Sequence, residues 1–273
     1  MKLQTIVDIK PSDWRIGYED KILLLGSCFA DSIGQMMSQR GLDVGCNPFG
    51  TLYNPLSIAH ALEMKDVPPL VEYDGLWHSM AHHGSFSHSS HEEAERAVKA
   101  SIDSLRKAIR EATVVIVTFG TAWVYERNGR IVGNCHKMPA DWFSRRRLST
   151  DEIVRTWMLI IARYPDKHWL FTVSPIRHIK DGLHENQLSK VTLLQAVEQL
   201  NDITYFPSYE IMLDELRDYR FYADDLVHPS AMAIEYIWER FTETFCTPQT
   251  RNEMILRLKQ FKRTQHIPLH NES

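Results

Sequence analysis

Lys21-Ile22-Leu23-Leu24-Leu25-Gly26-Ser27-Cys28-Phe29-Ala30 is the stretch on which the reading of this chain turns. Four apolar residues behind a lysine are too few for a buried helix and suit a strand covered on both faces, as in the middle of a parallel sheet. The small residues that follow let the strand turn into a helix, placed at residues 31–40. Ser27 and Cys28 then stand beside the free N–H groups of a helix N-terminus, which favour a thiolate and can hold an oxyanion.

The same alternation continues downstream. Residues 42–45, 113–119, 168–173 and 204–206 read as further strands, and two of these, TVVIVTF and HWLFTV, are again near-continuous apolar runs. Between and after them lie helical patterns. One covers 91–110 and opens with Ser90 and Glu93 at capping-box spacing. Another starts at Ser149 with Glu152 and runs through Ile153, Trp157, Ile160 and Ile161 until Pro165 stops it; the rest cover 185–201, 230–245 and 248–261. This order predicts a single α/β domain spanning 1–273, a mostly parallel sheet flanked by helices, with a polar tail that frays from about residue 263. At 273 residues the chain is long enough to bury roughly three quarters of its unfolded surface.

Loops 46–54, 80–90, 120–147 and 174–184 are long, rich in reactive side chains, and fall at the C-terminal ends of the strands, the edge where open parallel sheets bind ligands. The 31 Lys+Arg against 35 Asp+Glu give a net charge of −4, which argues against a nucleic-acid polymer as partner. The longest apolar run near the N-terminus, 22–25, is far short of a membrane span or signal core. Four cysteines without a CxxC pair suit a reducing compartment, so a cytoplasmic protein without a membrane partner is expected. Neither GxGxxG nor GxxxxGK occurs, and no bound cofactor is expected.

A second motif, Asp225-Leu226-Val227-His228, places a carboxylate three residues before an imidazole. The carboxylate can fix the ring's tautomer, leaving the other nitrogen to take a proton from a nucleophile. With both motifs in hand, the chain resembles the GSCFA family, named for the pentapeptide Gly26 to Ala30. The resemblance continues through Asn47-Pro48-Phe49-Gly50-Thr51-Leu52-Tyr53-Asn54-Pro55, His83-Gly84-Ser85-Phe86-Ser87, the run from Phe119 to Tyr125, Asn134-Cys135-His136-Lys137, the run from Val173 to His178, Glu185-Asn186-Gln187-Leu188-Ser189-Lys190, the run from Tyr205 to Glu210 and that from Tyr219 to Ser230.

GSCFA proteins are similar to the SGNH, or GDSL-type, hydrolases, which implies a flavodoxin-like sheet, a nucleophile in the GDS turn and a base in DxxH. Asp225 and His228 match the second element without a gap, and an ungapped match of Gly-Asp-Ser-Leu falls on Gly26-Ser27-Cys28-Phe29. That match puts Cys28 at the nucleophile position, with Ser27 as the alternative. The resemblance implies an oxyanion site made by the nucleophile's own N–H, a backbone glycine and the Asn of GxN. Gly50 and Gly120 are the backbone candidates. Ala122 stands where the amide belongs, leaving Thr121, Asn54 or Asn134 to replace it.

Histidines 78, 82, 83, 88 and 91 invite a metal, but no HExxH or paired CxxC accompanies them, and no metal is expected. His83 and His136 are placed near the site instead. Arg127, Arg130, Lys137, Arg145, Arg146 and Arg147 on one loop, with Arg177, His178 and Lys180 on the next, would form a cationic rim for an anionic substrate if the loops are neighbours; otherwise they are a solvated face paired with acids. Trp123, Trp142, Tyr53 and Phe86 are candidates for lining an acyl or sugar pocket. The expected function is an acyl-ester hydrolase or acyltransferase acting on a small or carbohydrate-like substrate. The competing expectation is a noncatalytic binding module for an anionic glycan or nucleotide.

Overall fold

In the computed structural model, which describes residues 4–265, the opening motif is the hinge of the architecture. β1 (Lys21–Gly26) runs into α1 (Cys28–Gln39), β2 (Asp43–Cys46) and α2 (Pro55–Glu63), and a hairpin of β3 (Val71–Tyr73) and β4 (Leu76–His78) precedes α3 (His91–Glu111). β5 (Val114–Phe119) is followed by β6 (Trp123–Arg127), β7 (Arg130–Val132) and β8 (Ser144–Arg147), and then by α4 (Thr150–Arg163). β9 (His168–Val173), α5 (Leu183–Glu198), β10 (Ile203–Phe206), the short α6 (Ser208–Glu210), a π-helical turn at Ile211–Glu215, α7 (Ala231–Phe245) and α8 (Pro248–Gln265) follow.

The five strands expected from the sequence form one parallel sheet in the order β10-β9-β5-β1-β2. Alternation along the strands divides the core in two. Leu23, Leu25, Val115, Val117 and Phe171 face the layer of α2, α3, α4 and α5. Ile22, Leu24, Val114, Ile116 and Leu170 face α1 and α7. Burying each such side chain contributes about 1.5–3 kcal/mol, so the central strands anchor the domain.

Numbered among themselves in chain order, these strands lie 2-1-3-4-5, the flavodoxin-like order. The topological switch falls between β1 and β5, because α1 packs on one face and α3 on the other. A crevice opens there, at the C-terminal ends of both strands. Gly26 makes the close approach possible: its φ is +133°, and a Cβ would lie 2.1 Å from the Thr118 carbonyl oxygen.

Several expectations are corrected. α1 begins at Cys28 rather than 31, because Ser27, in extended conformation, accepts the Phe29 N–H and acts as the N-cap. The Ser149–Glu152 capping box is complete, but Ser90 only accepts the Glu93 N–H while its hydroxyl donates to Glu92. Segment 120–147 is no irregular loop: β6 pairs antiparallel with β7 and β8 to make a small sheet above the crevice. Of the tail expected to fray, residues 263–265 end α8, and the remainder lies outside the described residues. Among the described residues, no helix is long and apolar enough to cross a membrane.

Candidate active site

The crevice is a cavity of about 740 Å³ whose lining includes Ser27, Cys28, Tyr53, Trp123, Asn134, His178 and His228. Ser27, 1% exposed, has its hydroxyl turned to the helix as a cap. Cys28 is the first residue of α1, half-buried, with an N–H that has no intrahelical partner. Burial pushes its thiol up, and neighbouring Asp31 adds to the rise; the N–H groups of Cys28 and Phe29 and the Lys190 ammonium offset only part of this. The helix terminus favours the thiolate, as expected, but does not outweigh burial. The resting group is a thiol.

Asp225 and His228 form a self-contained turn at the cavity mouth. Asp225 Oδ1 accepts the N–H groups of Val227 and His228, each at 2.9 Å, and Oδ2 accepts His228 Nδ1–H at 2.6 Å. These bonds, the backbone ones foremost, hold the Asp225 carboxyl down at about 2. With Nδ1 committed, Nε2 is the ring nitrogen left to accept a proton. Leu226 takes the left-handed conformation, φ +56°, that closes the turn. Arg177 braces it: its N–H donates to the Val227 carbonyl at 3.2 Å, and its guanidinium donates to the Leu226 carbonyl and lies 4.2 Å over the Tyr222 ring.

The family model for GSCFA matches residues 21–241, from β1 into α7, and so takes in both motifs. The chain belongs to the GSCFA family. A search of the curated proteins finds no match.

In this GSCFA chain the oxyanion candidates are differently placed. Gly50 N–H donates to the Asn47 carbonyl at 2.7 Å, while Gly120 and Thr121 N–H both donate to the Tyr53 carbonyl, at 2.8 and 2.9 Å. The Thr121 hydroxyl meets Ser189 and accepts the Trp123 N–H, each at 3.1 Å. Asn54 caps α2, its amide bonded to the N–H and hydroxyl of Ser57. Gly50, Gly120, Thr121 and Asn54 are thus engaged within the chain. Asn134 uses only Oδ1, to accept the His136 N–H at 2.8 Å. Its Nδ2 and the Cys28 N–H are the uncommitted donors among the candidates.

The histidines divide as well. His178 lines the cavity, and its Nε2 is buried without a partner; burial and then Lys190 pull the ring down to about 4, so it is neutral. His83 and His136 do not reach the cavity: His83 accepts the Ser85 N–H, and His136 Nε2 bonds the Ser79 carbonyl at 2.8 Å. His78 meets Ser87, and His82 sits between the hydroxyls of Ser79 and Ser101. Among the described residues, no group of three or more His, Cys, Asp or Glu is arranged to hold a metal.

The two basic loops are neighbours, joined by an Arg145–Asp181 ion pair, and the arginines of β8 are neutralised by acids. Arg146 pairs with Glu126 and Glu152, and Arg147 with Glu185. Lys137 and Lys180 line the cavity with no ion pair among the described residues. Tyr53 and Trp123 also line it, joined by Tyr125 and Phe143. Trp142 stacks under Arg127, and Phe86 packs beside His82, both outside the lining.

One residue absent from the sequence-derived candidates stands directly behind the crevice. Lys190, on α5, is fully buried, and its Nζ donates to the carbonyls of Gly120 at 2.8 Å and Ser174 at 2.7 Å, just past the ends of β5 and β9. Its position on a buried stripe with Asn186, Ser189, Leu193, Ala196 and Val197 was the readable signal.

Proposed function

We propose that the protein hydrolyses or transfers acyl groups through Cys28, with His228 as base and then acid and Asp225 orienting it. The observation that carries this reading is one cavity lined by both a thiol at a helix N-terminus and an imidazole whose Nδ1 is tied to a carboxylate. Sγ adds to the acyl carbonyl while its proton passes to His228 Nε2. The carbon–leaving-group bond then breaks, the leaving group takes that proton, and a Cys28 thioester remains. Water or an acceptor hydroxyl, deprotonated by the same nitrogen, releases the acyl group.

The aromatic lining suits an acyl chain or a sugar ring, and Lys137 and Lys180 suit an anionic group on a small or carbohydrate-like substrate. Cys28 N–H and Asn134 Nδ2 are the donors available to the oxyanion. The four free thiols suit a reducing cytoplasm, where a cysteine nucleophile stays reduced.

Incubation with acetyl and longer-chain p-nitrophenyl esters and acyl thioesters, followed by intact and peptide mass spectrometry, tests the reading. An acyl adduct on Cys28 is expected, absent in Cys28→Ala and slowed on the order of a hundredfold or more in His228→Ala at unchanged melting temperature. Turnover unaffected by both substitutions refutes it. The engaged N–H groups of Gly50 and Gly120 favour a second reading, a binding module for an anionic glycan or nucleotide. That reading requires a ligand-dependent thermal shift that survives His228→Ala, with no adduct.

A further inference from the structure

We propose that Lys190 is a positioning residue for Cys28: its buried ammonium, fixed between the carbonyls at the ends of β5 and β9, supplies the positive charge against which the Cys28 thiolate forms. The inference rests on the reading of Cys28 as the nucleophile.

A lysine that is 0% exposed needs a reason, because an unpaired buried ammonium costs several kcal/mol. Two carbonyl oxygens, of Gly120 and Ser174, satisfy two of its hydrogens, and the Tyr209 ring lies 5.4 Å from Nζ. Neither contact brings a negative charge. No carboxylate among the described residues pairs with it, and of the titratable groups around it, His178 is neutral and adds none. Cys28 is the neighbour whose ionisation would balance the ammonium.

The geometry also links the two residues mechanically. Lys190 holds the Gly120 carbonyl, and Gly120 lies in van der Waals reach of the Cys28 turn: a methyl there would touch Ser27 Cβ at 3.5 Å and crowd the Tyr53 carbonyl oxygen at 2.9 Å. The ammonium therefore fixes the wall on which the Cys28 turn rests. Asp31, on the same helix as Cys28, opposes the thiolate, and His228 across the cavity accepts its proton. Burial draws the Lys190 ammonium down to about 7 although Cys28 opposes the fall; by linkage, the ammonium lowers the thiol in return.

The test needs no substrate: the rate of Cys28 alkylation by iodoacetamide against pH, read by peptide mass spectrometry, in wild type, Lys190→Met and Lys190→Arg. In Lys190→Met the midpoint is expected to rise by about one unit, so alkylation below it slows about tenfold, while Cys135 in the same digest is unaffected. Lys190→Arg is expected to restore the wild-type midpoint. An unmoved midpoint in folded Lys190→Met overturns the inference.

If Lys190→Met does not fold, the titration of the Lys190 ¹³Cε resonance in full-length wild type and Cys28→Ser takes its place. A lower midpoint in Cys28→Ser is expected, and superimposable curves overturn the pairing. An acyl adduct on Cys28 with no Lys190 coupling defeats this inference alone. Coupling without an adduct from any ester or thioester defeats the acyl-transfer reading and leaves the pair standing.

Discussion

Acidification should destabilise the fold, and His82 is one residue through which it acts. His82 is 0% exposed, stacks on Phe49 at 4.0 Å, and bonds Ser79 Oγ through Nδ1 at 2.7 Å and Ser101 Oγ through Nε2 at 2.8 Å. The Ser101 hydroxyl donates to the Val98 carbonyl, so it accepts from Nε2–H, and Nδ1 must accept from Ser79. A proton on Nδ1 would break that bond. Burial, then the neighbouring His136, draws His82 down from 6.5 to about 3. Above the unfolded value the full stability is present; as pH falls below it, the unfolded chain takes up a proton that the folded chain refuses.

From about pH 7.5 to about pH 5, this one residue removes about 2 kcal/mol, from roughly 1.5 units at 1.36 kcal/mol each. Urea unfolding of wild type and His82→Gln at both pH values reads the difference directly. The substitution lowers stability at both, but the wild type should lose about 2 kcal/mol more on acidification than the variant does. Equal losses in the two proteins would refute the account of a histidine held neutral by burial.

Ser27→Ala removes a helix cap and should cost about 1 kcal/mol in urea while Cys28 acylation persists; loss of acylation with little change in stability would make Ser27 the nucleophile. Gly26→Ala, whose methyl meets the Thr118 carbonyl oxygen at 2.1 Å in a left-handed conformation, should lower stability by more than about 3 kcal/mol or prevent soluble expression; an unchanged melting temperature contradicts the close approach of β1 and β5. Asp225→Asn should reduce acylation on the order of a hundredfold or more by freeing the His228 tautomer, and a wild-type rate would remove the orienting role of Asp225.

The sheet was legible because its three central strands are continuous apolar runs, and α4 because Ser149 and Glu152 punctuate it. Segment 123–132 read as loop and 71–78 as no element, since polar residues interrupt them, yet each carries a hairpin signal. Asp74-Gly75 and Asn128-Gly129 sit between paired strands with φ of +51°, +71°, +52° and +72°. Asn54 before Pro55 likewise announced α2, with a cap and a proline at the first turn. The fate of the oxyanion N–H groups was not legible, because their partners are loop carbonyls brought close only by folding: Tyr53 for Gly120 and Thr121, Asn47 for Gly50. Lys190 escaped for a related reason: a lysine within a helix ordinarily faces solvent, and the two carbonyls that hold it belong to the ends of different strands.

Cys28 and Asp225–His228 lie almost two hundred residues apart, and one layer of the fold delivers both. Phe29 and Ile33 of α1 pack in the same core cluster as Ala233 and Ile237 of α7, on the same face of the sheet. Cys28 opens α1, and Asp225–His228 ends two residues before α7 is capped by Ser230. Both elements therefore project from helix N-termini at one edge, with β1 and β5 beneath them. Burial keeps the thiol protonated, so a helix terminus cannot make the nucleophile by itself, and a fixed base must be supplied from elsewhere in the chain. The DxxH turn meets that need because its aspartate accepts both backbone N–H groups and the ring N–H, leaving His228 one free nitrogen in a turn held from outside by Arg177.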